Sequence, residues 1–585
     1  MILTDRSRRG FLRYGAATAA ALGWPSRAGA ADSPGIADQI FHGGDILTME
    51  GATPVYVEAL AVRDGKIAFV GKLRDAEALR GAATRMADLQ GGTLLPGFID
   101  PHSHVAIGAA QVDWANLYAA PMGTVDSIAA LIASLRGSQR DLAPGSWVLG
   151  LGYDPDLLAE RRHPTAADLD AAFPDVPVYA IHVSGHMGVA NTAAMRARGI
   201  SAATADPPGG TIVRKPGTRE PEGLFQENAQ VFFMDQLQPR VSEEVAAQRL
   251  SKALSRYASL GITTAQDGGV MQVQMPLLRY AAARGMLPID LVVLPVYRFA
   301  ENLLADRGLR WGVYDGRLKL GGIKLTVDGS PQGKTAYLTR PYLTTVPGCS
   351  EDCSGAPVLS QEALAFSCRR AYEAGIQVFS HCNGDAAIDM MIRAHENALQ
   401  AIGRSAESRA KRTVIVHSQV MRLDQVDSYA RLGMIPAFFT NHTFFWGDTH
   451  VANLGRDRAD MTSPMRAAID RGIRPTTHSD FPVTLPDPLF TVWSAVNRVS
   501  RSGSVIGPEQ RVSAYEALQA TNINVAHQYF EEGQKGSLVA GKLADLVVLD
   551  RNPLKVPPAQ IKDIAVLRTL KEGKHVFTRD PRTAV

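Results

Sequence analysis

The chain has 585 residues, 45% of them hydrophobic, with 61 basic side chains set against 58 acidic ones. That length suits about two to four domains and a large buried core, with an α/β barrel a common use of half of it. The near balance of charge removes the strong field that would recruit nucleic acid or an anionic membrane surface.

In chain order, the N-terminus reads as an address. Ser7-Arg8-Arg9-Gly10-Phe11-Leu12-Arg13 precedes a short apolar run over 14–24, and Ala28-Gly29-Ala30 offers a small-residue cleavage site. The pattern is that of a twin-arginine signal peptide over 1–30, giving an exported, soluble protein of the periplasm or exterior; the competing reading is an amphipathic first helix. No other stretch reaches the roughly eighteen uninterrupted apolar residues that a membrane span needs.

Residues 38–89 alternate in short segments broken by turn residues, which predicts a small antiparallel sheet. The C-terminal end repeats that texture, with strands at 546–549 and 566–570 after a turn-rich lead-in at 536–545. The two ends, 38–92 and 535–580, are expected to form one composite β-sandwich. Between them, over 93–534, short apolar strands alternate with amphipathic runs such as 245–260, the signature of βα units closing a parallel barrel or doubly wound sheet. Strands are expected at 93–100, 261–267, 289–296, 319–328, 375–381, 413–417, 434–440 and 473–480. Residues 105–239 are too many for an ordinary βα connection and read as an inserted subdomain over the site. Four cysteines are few for an exported chain of this size. Cys349 and Cys353 either bridge locally or stay reduced; a metal role is disfavoured, since neither has a CxxC partner or neighbouring histidine ligands.

The chemistry gathers at strand ends. His102, His104, His381 and His417 all fall at or just past the C-terminal ends of expected strands, which in a barrel share one face. A His-x-His pair alone is weak evidence, but on a strand exit its imidazoles can approach one ion, and such nitrogens suit Zn²⁺. Asp480 closes the last expected strand; it can ligate metal and accept a proton from water, or simply cap the next helix. Lys324 lies among apolar neighbours. Burial would lower its pKa, opening carbamate formation with CO₂, whereas the residues by themselves favour an ion pair with Asp328 or another carboxylate.

Taken together, the segments Leu95 to His104, Lys324 to Ser330, Ser380 to Asp385, Val416-His417-Ser418 and Ser479 to Pro482 resemble the amidohydrolase superfamily, most closely the amidohydrolase 3 branch with its YtcJ-like proteins and N-substituted formamide deformylases. The resemblance implies a (β/α)8 TIM barrel, a composite β-sandwich and a site for one or two divalent metals, usually zinc. It implies that His102 and His104 bind the first metal, that carboxylated Lys324 bridges, that His381 and His417 hold the second, and that Asp480 binds the first and handles the water proton. It favours the carbamate on Lys324 over the ion pair. Ser184-Gly185-His186, and Pro221 to Leu224 followed by Glu227, resemble segments bordering the substrate cavity. Where the branch often has glutamine and proline after the seventh strand, this chain has Thr440-Asn441-His442, with Trp446 beyond. His186, Glu227, Asn441, His442 and Trp446 are therefore the candidate substrate contacts. The expected activity is hydrolysis of a non-peptide, amide-type C–N bond of a small molecule by a metal-activated water. Ester or lactone hydrolysis on the same site is the enzymatic alternative, and an inactive exported binding or regulatory protein the non-enzymatic one. Assembly as a homo-oligomer stays open.

Overall fold

The structure, a computed structural model, describes residues 35–139, 146–237, 241–306, 308–349 and 352–580. The export signal expected at 1–30 lies outside them. The fold is mixed α/β. No helix among the described residues is long and apolar enough to cross a membrane.

Two five-stranded sheets carry the centre. One runs, in spatial order, Tyr314–Asp315, Leu318–Leu320, Asp290–Pro295, Ile262–Val270 and Phe98–Ile99, parallel except for the short first strand. The other is wholly parallel: Ile323–Thr326, Val378–Cys382, Val414–His417, Ile435–Phe438 and Thr476–Thr477. A parallel bridge between Val296 and Lys324 joins them on one side. On the other, the Asp480 amide donates to the His102 carbonyl at 3.2 Å. Alternation decides the packing, because side chains on successive strand residues face opposite ways. Leu291 and Val293 turn outward to the helices, while Val292 and Leu294 join Ile99, Phe379, Val414, Val416 and Ala437 in a cluster drawn from both sheets. Helix Glu243–Ser259 shows the matching outer layer: Ser242 caps it, and Ala247, Leu250, Leu254, Tyr257 and Ala258 form its buried stripe.

Three expectations are altered. Residues 93–100 form two strands rather than one. Thr93–Pro96 pairs with Leu546–Leu549, and Phe98–Ile99 with Ile262–Val270. Gly97 makes the change of sheet, since a Cβ there would meet Thr263 at 2.4 Å. Residues 319–328 are likewise split, at Gly321-Gly322. The N-terminal sheet is mixed, not antiparallel: Gln39–His42 pairs parallel with Arg85–Asp88, because helix Leu73–Glu77 carries the chain back before the last strand begins.

The ends meet in a six-stranded sheet that contains Asp45–Leu47, Thr93–Pro96, Leu546–Leu549 and Val566–Lys571. A buried charge network ties it to the parallel strands. Asp290 accepts from Lys535 at 2.6 Å and Lys571 at 2.7 Å; Lys571 also reaches Asp545 at 2.7 Å, and Glu531 pairs with Lys535 and Lys319. Three ammoniums thus face three carboxylates with almost no exposure. Within 105–239 the chain builds a separate six-stranded sheet, whose strands include Val148–Tyr153, Val178–His182, Met187–Ala190 and Pro221–Glu227. Cys349 and Cys353 are joined as a disulfide.

Candidate metal centre

The C-terminal ends of the parallel strands bring the histidines and Asp480 together. His102 and His104 leave Phe98–Ile99, Lys324 lies within Ile323–Thr326, His381 within Val378–Cys382, and His417 ends Val414–His417. His417, Ser418 and Asp480 adopt positive φ values of 75°, 44° and 55°. Non-glycine residues hold such angles only where the surroundings over-determine them. Here the sharp exits turn the side chains back across the strand ends.

One nitrogen each of His102 and His417 and one oxygen of Asp480 lie within 4.8 Å of one another, all buried. His102 is oriented from behind. Gln266 Nε2 donates to the Tyr529 hydroxyl at 2.7 Å, so Gln266 Oε1, 2.7 Å from His102 Nδ1, receives that N–H. His102 Nε2 is left with its lone pair facing the centre. Asp480 Oδ1 lies 3.3 Å from His102 Nε2 and 3.4 Å from His104 Nε2, yet forms no well-aligned hydrogen bond. His417 Nδ1 is 4.0 Å from Asp480 Oδ2 and is also buried without a hydrogen-bond partner. Burial holds the His102 and His417 imidazoles neutral. Burial opposes the charge on Asp480, but the His104 imidazole beside it outweighs that effect and holds the carboxyl well below its usual range. Neutral imidazoles, an ionised carboxylate and donor atoms left unpaired in a buried space are the forms a divalent cation requires, and the nitrogen and oxygen set suits zinc. The residues fit a metal.

His381 stands one contact further out: its Nδ1 is 2.9 Å from His417 Nε2, and its Nε2 is 3.1 Å from the Gly329 carbonyl. Lys324 does not pair with Asp328. Its Nζ is 3.1 Å from His102 Nε2, and burial pushes its pKa down to about 7, with Asp480 pulling the other way. Asp328 instead accepts the backbone N–H groups of Tyr337, Asn383 and Gly384.

Of the candidate substrate contacts, His186 and Glu227 form a pair at 2.8 Å in the inserted segment, and the His186 ring is 4.8 Å from that of His381. Asn441 donates to Thr484 at 3.0 Å. Trp446 spends its indole N–H on Asp154, at 2.8 Å, and so offers the site only its ring. His442 is hydrogen-bonded to His450. Sequence reasoning passed over His478, Gln266 and His450. His478 stacks on Phe439 with ring centres 4.8 Å apart, and its edges contact His102 and His417 at 5.1 and 5.0 Å. Its position two residues before Asp480 was the available signal. Gln266 and His450 gave none, because only the fold sets them behind His102 and His442.

Residues 85–577 match the family model described as the amidohydrolase family. The chain is 29% identical over 526 residues to an N-substituted formamide deformylase of Arthrobacter pascens, covering 88% of this chain and 94% of that one. It is 29% identical over 555 residues to the putative amidohydrolase YtcJ of Bacillus subtilis, covering 92% and 99%. An uncharacterized metal-dependent hydrolase from Pyrococcus horikoshii superposes with a TM-score of 0.69 at 24% identity, over 92% of this chain and 99% of its own.

Proposed function

Since this chain belongs to the amidohydrolase family, we propose that it is an exported, metal-dependent hydrolase that cleaves a non-peptide, amide-type C–N bond of a small molecule. The observation that carries the reading is the buried trio of His102, His417 and Asp480, with donor atoms of the last two left unpaired. The shared inner cluster of the two parallel sheets supports reading them as halves of one (β/α)8 barrel, with these residues at its C-terminal face. The arginine pair at Arg8-Arg9 supports export. The formamide deformylase relative supports an amide carbonyl as the group attacked.

His102, His417 and Asp480 would hold a divalent cation, with His104 beside Asp480 and His381 behind His417. When bound, the ion supplies Lewis-acid activation of a water and of the substrate carbonyl. Asp480 receives the proton that the attacking water loses and returns it to the leaving nitrogen, which departs as a neutral amine. Gln266 fixes His102 in the tautomer whose Nε2 carries the lone pair. Lys324, its amine brought near neutrality by burial, is the residue that would add CO₂ and lose a proton to become an anionic carbamate. His186, paired with Glu227, is set beside His381 by the inserted segment and is offered as a substrate contact.

The test is a hydrolysis screen of N-acyl amino acids, N-formyl amines, cyclic amides and lactones with zinc-loaded protein, together with elemental analysis. Purified protein is expected to carry one or two equivalents of metal, and His102→Ala is expected to lose both metal and turnover. A metal-free protein that hydrolyses the panel sinks the reading. Gln266→Leu frees the His102 ring from its acceptor and is expected to weaken metal binding by roughly 10- to 100-fold with the fold intact. Metal competition against a chromogenic chelator measures that loss.

A further inference from the structure

Packed against Phe439 and Trp446 lie two histidines that the trio does not use. His442 opens the short helix His442–Phe445 after strand Ile435–Phe438, and His450 sits in the next helix, Gly447–Leu454. His442 Nδ1 is 2.9 Å from His450 Nε2, the ring centres are 5.2 Å apart, and the ring planes differ by 8°. Those three values describe two imidazoles lying edge to edge in one plane and joined by an in-plane hydrogen bond. One proton sits between them, and its owner decides what His442 offers on its far side.

His450 is fully buried, and its other nitrogen, Nδ1, has no partner. If Nδ1 carried the proton, a buried N–H would be left without an acceptor, the rarer and costlier kind of orphan. If Nε2 carries it, only a lone pair goes unused, and the N–H donates to His442 Nδ1. A neutral His442 that accepts at Nδ1 must bear its own proton at Nε2. That atom has no hydrogen bond among the described residues and is not among the sealed, unpartnered ones, although the residue as a whole is only 2% exposed. The ring packs on Phe439, which itself stacks on His478 beside the trio. Burial keeps both imidazoles neutral, His450 being pushed down to about 3, and the charge of Asp480 is felt at His442.

We infer that His450 is a positioning residue that locks His442 as a neutral Nε2–H donor, and that this donor binds the carbonyl oxygen of the substrate. The inference rests on the hydrolase reading above. The class of ligand it selects is a neutral acceptor such as an amide or formyl oxygen. A neutral N–H aimed at the place where negative charge develops stabilises the transition state without drawing in a free carboxylate.

The experiment uses full-length, zinc-loaded protein labelled with ¹⁵N-histidine, and the variants His442→Phe, His450→Leu and His450→Gln. Long-range ¹H–¹⁵N correlations are expected to show both rings protonated at Nε2, and added formamide, the smallest amide probe, is expected to move the His442 Nε2 resonance. Loss of the lock in His450→Leu should give a mixture of His442 tautomers. The glutamine amide can donate as His450 does, so His450→Gln should restore the single form. On the best substrate of the panel, kcat is expected to fall about 100-fold in His442→Phe and about tenfold in His450→Leu, with recovery in His450→Gln and smaller changes in KM. A proton on His442 Nδ1 in the parent protein, no response to formamide, or an unchanged kcat in His442→Phe would each overturn the inference. Absence of turnover in the parent protein would instead overturn the hydrolase reading, and the tautomer and formamide responses are read without it.

Discussion

Asp480→Asn is expected to lower kcat about 1000-fold on any substrate the panel identifies, the scale of losing a positioned proton acceptor. The substitution preserves shape and removes only the anion. Its neighbours His102 and His417 are held neutral by burial. Burial opposes the Asp480 charge, yet contact with His104 holds the carboxyl below its usual range, so losing the anion is expected to cost about 1–3 kcal/mol of stability, less than the rupture of a buried ion pair. Thermal denaturation beside steady-state kinetics separates the two quantities. An asparagine variant that keeps kcat within tenfold would remove Asp480 from the proton path.

Asp290→Asn should do the reverse, costing about 3–5 kcal/mol of stability while the centre stays intact. Burial works against the Asp290 charge, but the ammoniums of Lys535 and Lys571 outweigh it and hold the carboxyl below its usual range. A carboxyl depressed on folding adds stability that is present above its unfolded pKa of about 3.9 and is lost as pH falls. The parent protein should therefore weaken with acid below about pH 4, and Asp290→Asn should weaken less steeply there while being the less stable protein at pH 7. Denaturant midpoints across that range supply the check. Equal slopes for the two proteins would show that the network does not set the acid response.

Much of this architecture is legible in the residues because a strand buried on both faces needs a continuous apolar run. The segments around Val292, Phe379, Val414 and Ile435 supply such runs, and their ends fall beside His381 and His417. What the pattern conceals is where a run changes partner. Residues 94–99 carry no polar side chain, and the switch between sheets at Gly97 depends on how closely Thr263 approaches, a contact made 166 positions along the chain. The site divides in the same way. Residue types that ligate metals declare themselves, whereas Gln266, which selects the tautomer of His102, is an ordinary strand residue until the fold sets it at 2.7 Å. Trp446 was readable as a cavity residue, but the commitment of its N–H to Asp154 joins two segments 292 positions apart.

The pairing of Thr93–Pro96 with Leu546–Leu549 has a temporal meaning. During synthesis the strand that leads into His102 emerges early, yet the neighbour that covers it emerges only at the end, and contacts of such separation form slowly. Until then its edge is an unpaired template, open to pairing with other chains. A ribosome-stalled chain ending near residue 530 should thus already contain every candidate ligand of the centre while leaving the strand beneath them unguarded. That edge stays open from the emergence of residue 96 until residue 546 follows it.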